Sequence, residues 1–165
     1  MWNVVMLAVL MSVAGIYVTR NHQTVDRAEA GLAAGMAAEM GVYRGAVARY
    51  FSEHDLLAAS VSTATLKSGG YLPPWSRMYQ QSTPLIWSNY RDAGGVIYVY
   101  ATSLPAQDLA GELARLAHNS VLLGVYRASA GTLHSPVAGD TGISLAALAG
   151  RAIPDGAPVW IATAP

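Results

Sequence analysis

The chain has 165 residues, which is enough for one domain with a modest core and an appended helix, so two-domain architectures are set aside. Ten basic residues balance ten acidic ones without any Lys/Arg cluster, and this pattern excludes nucleic acid as a main partner. Charged residues make up only 12% of the chain, against roughly 25% in typical soluble domains, which indicates a membrane-associated or assembly-bound protein. There is no cysteine, which excludes disulfides, thiolate catalysis and cysteine-based metal sites.

The N-terminal segment 1–19 carries no charge, and we interpret it as a transmembrane anchor near the lower limit of the roughly 17–25 residues that cross a bilayer. Apolar side chains all around the helix favour lipid over a one-sided core. A cleaved signal would carry Lys or Arg before the run and a small-x-small site after it. That alternative, a buried core helix and the orientation in the membrane all stay open. The side chains that define the anchor are Trp2, Val5, Leu7, Leu10, Val13, Ile16 and Tyr17.

Residues 20–58 are predicted to continue the anchor as a long Ala/Gly-rich helix, with a break near 20–24. The larger apolar residues recur at intervals of four and three, which places them on one helical face. Glycines inside this pattern cost roughly 1 kcal/mol each relative to alanine, and their small-xxx-small spacing lets helix backbones approach closely. An Ala-rich helix that merely contains glycines fits equally well. The apolar face is Met36, Met40, Tyr43, Val47 and Tyr50, and the predicted helix-packing residues are Gly31, Gly35, Gly41 and Gly45.

The middle of the chain, about 60–95, is dominated by Gly and Pro pairs that favour turns, with a short helix predicted at 63–68. Its five aromatic residues are too many for a disordered linker, so we expect an ordered loop that packs over the domain or presents a contact face. Trp75 and Trp87 are the candidate partner surface.

The second half alternates between β-branched runs and one amphipathic stretch, which predicts an α+β domain over residues 59–165 with a small sheet packed against helices. The stretch from about 127 to 157 is rich in Gly, Ser and Pro and is predicted to be irregular. The predicted elements are strands at 96–100, 121–126 and 158–162, and a helix that opens at Pro105 with its body over 108–118.

Asp140-Thr141-Gly142 is the tripeptide that presents the catalytic aspartate in aspartic proteases, where two such loops share one proton. A single copy would require a homodimer, and an Asp-Thr-Gly turn is the structural alternative. The four histidines lack ligand spacing, and no nucleotide-binding loop or nucleophile elbow is present. We therefore predict no enzymatic activity, no metal and no cofactor.

Several segments carry a resemblance to known families. Residues 63–73, TATLKSGGYLP, resemble the segment after the long N-terminal helix in type IVb pilin-like proteins. Segments spread over the second half are similar to the PilM proteins encoded with the thin pili of conjugative plasmids, as distinct from the actin-like protein of the same name. These segments are Gly95–Pro105, Gly111–Leu116, Ser120–Leu122, Gly131–Val137, Gly139–Ile143 and Gly156–Trp160.

The resemblance implies an inner-membrane structural component of type IVb pilus biogenesis in conjugation, at the basal body or in pilin transport. It implies a single-pass protein with a periplasmic domain and a pilin-like shape. Its expected partners are other pilus-assembly proteins or pilins together with membrane lipid, and a homo-oligomer stays open. The alternative is a minor pilin built into the fibre, but the absence of Glu before Glu29 argues against prepilin processing. The distant alternative is the dimeric protease.

Overall fold

The computed structural model describes residues 2–81 and 85–163, and the side chains from Arg27 onward. Helix α1 (Trp2–Glu53) runs without interruption, so the predicted break near 20–24 is wrong. Residues 20–24, RNHQT, contain neither glycine nor proline, so no strong helix breaker interrupts the helix there. The side chains of the predicted anchor lie outside the described residues. Within the part of the chain that was described, no helix is both long and apolar enough to span a membrane.

The domain is α+β, as predicted, and is built on one six-stranded sheet in which every paired strand is antiparallel. The strand order is β1-β2-β6-β3-β4-β5, so the last strand of the chain lies between β2 and β3. The strands are β1 (Trp87–Arg91), β2 (Val96–Ala101), β3 (Leu123–Arg127), β4 (Thr132–Ser135), β5 (Gly139–Ser144) and β6 (Pro158–Thr163). The helices are α2 (Thr63–Ser68), α3 (Arg77–Gln80) and α4 (Ala110–Leu116), with a 3-10 turn at Ala146–Leu148.

Helix α1 lies on one face of this sheet and forms the larger part of the core with it. The predicted apolar face is correct: Met40, Tyr43 and Val47 are fully buried, and Met36 and Tyr50 flank them half-buried. From the sheet, residues of β1, β2, β3 and β6 meet the helix, and they alternate along β2 and β6 because successive side chains of a strand point to opposite faces. These are Trp87, Ile97, Val99, Leu123, Trp160 and Ala162.

The opposite face of the sheet is covered by the chain between β5 and β6. Leu145 and Leu148 are buried against Tyr98, Tyr100, Leu133, Val159 and Ile161 in a second apolar cluster. The region predicted to be irregular therefore forms the β4–β5 hairpin and this cover. The two strands were not predicted because this region is rich in glycine and serine, which are typical of turns. Glycine is also typical of bulges, and β5 contains one.

The middle of the chain is more regular than predicted. Helix α2 occupies the predicted residues and is capped by Ser62, whose hydroxyl accepts a hydrogen bond from the N–H of Thr65 at 3.0 Å. Strand β1 was not predicted, because its sequence, WSNYR, carries polar residues where a half-buried strand would carry apolar ones. Two of those polar residues, Asn89 and Arg91, are buried against α1.

Arg91 stabilises the C-terminal end of α1. Its guanidinium lies 3.3–3.5 Å from the carbonyl oxygens of Phe51, His54 and Leu56, and 3.3 Å from a carboxylate oxygen of Asp55. The last carbonyls of a helix have no intrahelical donor, and a cation there also complements the helix dipole. Arg91 therefore ties β1 to the end of the helix.

Tyr98 gives the fold a pH dependence in the alkaline range. Burial, together with the hydrogen bond that its hydroxyl donates to Asp92 at 3.1 Å, raises the pKa of Tyr98 from 10.0 to about 12. Between these values the unfolded chain releases the proton and the folded chain keeps it, so the free energy of unfolding should fall as pH rises. We expect Tyr98→Phe to make this fall shallower in urea titrations on either side of pH 10. The exposed Tyr79→Phe is the control, and equal slopes in both variants would contradict the assignment.

Candidate interaction surface

A groove runs between α1 and the C-terminal end of α4, with a volume of about 590 Å³. We call it the α1–α4 groove. Its walls are apolar side chains from both helices, its floor is the ring of Trp160, and one cation lies inside it. The residues that define it are Ala38, Gly41, Val42, Arg44, Leu116 and Trp160.

Gly41 allows α4 to approach α1 here. A Cβ atom at this position would lie 3.0 Å from Cδ2 of Leu116 and 3.9 Å from Cζ3 of Trp160, so any larger residue would displace the leucine. Of the four predicted helix-packing glycines, the structure brings only Gly41 into close packing with another helix. Gly31 and Gly45 face open space, and Gly35 approaches only the guanidinium of Arg77 at 4.0 Å.

Arg44 is held above the floor of the groove. Its guanidinium carbon lies 4.8 Å from the centre of a Trp160 ring, which is a cation–π distance. Its Nε is buried without a hydrogen-bond partner, and among the described residues no carboxylate lies within 4.0 Å of it. Burial lowers the pKa of Arg44 from its ordinary value. The groove therefore contains a cation that the described part of the chain does not neutralise.

The two tryptophans predicted as a partner surface have opposite environments. Trp75 is 73% exposed, in the turn just before α3, and it stays a candidate contact residue. Trp87 is 3% exposed because it opens β1 on the face that α1 covers. Its assignment to a partner surface was wrong, because the side chain belongs to the core.

Asp140-Thr141-Gly142 lies in β5, where the pairing with β4 shifts register opposite Leu133. Oδ1 of Asp140 accepts the N–H of Gly142 at 3.0 Å, and this bond lowers the pKa of the exposed Asp140 carboxyl. Oγ1 of Thr141 donates to the carbonyl of Leu133 at 2.6 Å and accepts the N–H of Ile143 at 3.2 Å. Gly142 has a φ of +68°, which suits glycine. The tripeptide thus has the contacts of the Asp-Thr-Gly turn, the structural alternative, and it lies in a bulged strand.

Within the described ranges, no three His, Asp or Glu side chains come close enough together to hold a metal ion. The residues that sequence reasoning missed are Arg44, Leu116 and Trp160. Arg44 interrupts the apolar side of α1, and that interruption was the available signal. Nothing in the sequence indicated that a tryptophan of the last strand would lie beneath it.

The fold defines an α+β protein in which one long N-terminal helix crosses an antiparallel sheet beside a shorter helix. The sequence profile of the PilM family matches residues 8–161, and the chain belongs to the PilM family. Among solved structures, a protein described as PilM from Escherichia coli B7A has 20% sequence identity and a TM-score of 0.50, over 81% of this chain and 93% of that one. At this identity the likeness concerns the fold. A comparison with curated proteins finds no match.

Membership of the family confirms the resemblance drawn from the second half of the sequence, and it supports a role related to pilus biogenesis.

Proposed function

We propose that this chain is a non-enzymatic, inner-membrane structural component of type IVb pilus biogenesis in conjugation, acting at the basal body or in pilin transport. In this proposal the segment 1–19 is the membrane anchor and the sheet domain is periplasmic. Its partners are other pilus-assembly proteins or pilins. Family membership supports the pilus role, and the form of α1 supports the anchored scaffold.

The observation that carries the proposal is the way α1 enters the domain. Residues 27–32 are all exposed, and Ala33 is the first buried residue among the described side chains of the helix. The same helix, about 78 Å long at 1.5 Å per residue, begins in the uncharged N-terminal sequence. A continuous helix resists bending, so an anchor at its start would hold the domain at a fixed distance from the membrane.

Membrane fractionation tests the anchor. The full chain should sediment with inner membranes, resist extraction by alkaline carbonate and dissolve in detergent. Leu10→Arg should move most of the protein to the soluble fraction, because an arginine at the centre of a spanning helix costs about 2.5–3.5 kcal/mol. A phosphatase fused to the C-terminus should be active, as expected for a periplasmic domain.

Ser52→Arg is the matched control, since Ser52 is exposed at the domain end of the same helix. This variant should fractionate like the parent chain. Recovery of the unaltered full-length chain in the soluble fraction without detergent would defeat the anchored scaffold.

A minor pilin is the second candidate, favoured by the packing of a long N-terminal helix on one face of an antiparallel sheet. This candidate expects the protein in pili sheared from cells, with a shortened N-terminus. The scaffold expects it to remain with the sheared cells at full length. Mass spectrometry of both fractions separates the two.

A further inference from the structure

We infer that the α1–α4 groove binds an amphipathic helical segment of a partner protein, which places a carboxylate on Arg44 and an aliphatic side chain between Val42 and Leu116. This inference rests on the proposed function in one respect, namely that the chain works by holding partner proteins. It names the chemistry of the partner and the place where the partner docks.

The charge of the groove selects an acidic partner. The guanidinium of Arg44 is fixed over Trp160, and among the described residues no carboxylate is close enough to pair with it. A partly buried cation without a counter-ion is costly, and its cost is relieved when a carboxylate arrives with hydrogen bonds. His118, which also lines the groove, adds no negative charge.

Among the described residues, two other arginines of this domain have hydrogen-bond acceptors for their guanidinium groups, in contrast to Arg44. Arg49, on the same helix, also lies over an aromatic ring, 5.0 Å from the centre of Tyr71. Unlike Arg44, it donates to the carbonyl of Gly70 at 2.7 Å. Arg91 also has a buried Nε without a partner, but its Nη1 lies close to three carbonyl oxygens and a carboxylate oxygen of Asp55. Arg44 differs from both because it lies in an open groove, where its buried Nε has no partner and no carboxylate of the described residues lies within 4.0 Å.

The shape of the groove selects a helix. Two helices that pack closely leave a furrow between them, and a third amphipathic helix fills such a furrow with residues spaced i, i+3, i+4 and i+7. The walls supply the apolar contact: Leu116 is 39% exposed, and Val42 and Ala117, which also line the groove, are half-buried. A helix that carries an aliphatic residue next to a carboxylate on one face complements this groove. The aliphatic residue contacts the apolar walls, and the carboxylate pairs with Arg44.

Selection from a displayed helical peptide library tests the inference. The bait is the purified full chain in detergent micelles, and the library fixes leucines at i, i+3, i+4 and i+7 while the flanking positions vary. The selected peptides should be enriched in Glu or Asp at one position beside the leucines. Replacing that residue with Gln should weaken binding by about tenfold to a hundredfold, as expected for a hydrogen bond to a charged group.

Three variants of the bait locate the site. Arg44→Met keeps the apolar stem over Trp160 and should bind the Glu and Gln peptides equally, whereas Arg49→Met should discriminate like the parent chain. Gly41→Leu should fill the groove and abolish binding. Folding of each bait is checked by circular dichroism.

Three results would overturn the inference. The first is a selection without acidic enrichment, and the second is the same enrichment on the Arg44→Met bait. The third is concentration-dependent self-association of the parent chain that Gly41→Leu abolishes, because a second copy would then be the occupant. Both readouts are independent of membrane fractionation, so a soluble chain that still selects acidic helices would defeat the anchor and leave the groove assignment standing.

Discussion

Replacing Asn89 with leucine is expected to lower the free energy of unfolding by about 3–5 kcal/mol, because three buried polar groups then lose their partner. Nδ2 of Asn89 donates to the hydroxyl of Tyr43 at 2.7 Å and to the carbonyl of Val61 at 2.8 Å. Its Oδ1 accepts the N–H of Val61 at 2.9 Å. The side chain is 1% exposed, so water does not replace these bonds. Thermal melting should show a midpoint about 10 °C lower.

Tyr43→Phe and Ser88→Ala give smaller expected losses of stability, against which the loss in Asn89→Leu can be compared. Tyr43→Phe removes one of the three bonds and should cost about 1–2 kcal/mol, since Asn89 keeps both bonds to Val61. Ser88→Ala, on the neighbouring residue of the same strand, breaks only a weak 3.4 Å contact with Tyr100 and should be nearly neutral. A neutral Asn89→Leu variant would show that these bonds do not hold α1, the loop after it and β1 together.

Gly124→Ala is expected to destabilise the protein by about 1–3 kcal/mol or more through overpacking. A Cβ atom at Gly124 would contact the carbonyl group of His134, 2.7 Å from its carbon, and would lie 3.0 Å from Cγ of Leu133. Backbone atoms of β4 cannot move aside without opening the pairing of β3 with β4, where Val125 faces His134. Each kcal/mol should lower the melting midpoint by about 2–4 °C.

Gly111→Ala is the matched control, with an effect of opposite sign. Gly111 lies within α4, and a Cβ there would meet no atom within 4 Å. Alanine should therefore raise the stability by up to about 1 kcal/mol through its higher helix propensity. Similar destabilisation by both substitutions would show that Gly124 is not required by the close approach of β4.

The elements with a strong local pattern were predicted well. The spacing of Met40, Tyr43 and Val47 gave the buried face of α1, and α2 occupies the predicted residues. The strands at 96–100, 121–126 and 158–162 and the helix at 108–118 were each found to within a few residues. β-branched and aromatic runs carry their own signal because their side chains suit a pleated, half-buried surface.

The candidate surface was less predictable than the fold. Trp75 and Trp87 look equivalent in sequence, in a region full of turn formers, yet one is exposed and the other buried. Whether an aromatic side chain is a surface or a core residue depends on the element opposite it. For Trp87 that element is α1, whose position over β1 no local pattern specifies.

By itself the sequence determined the balance of charge, the uncharged start of the chain and the long helix with its buried face. It also determined the strands whose apolar, β-branched and aromatic residues give a clear local pattern. Only the tertiary structure decided that β6 lies between β2 and β3, that polar Asn89 and Arg91 belong to the interior, and that Arg44 stands over Trp160 in an open groove. The physical reason is range: helix and strand patterns arise from neighbours along the chain. The partners of a buried polar group or an unpaired cation come from segments that meet only when the sheet assembles.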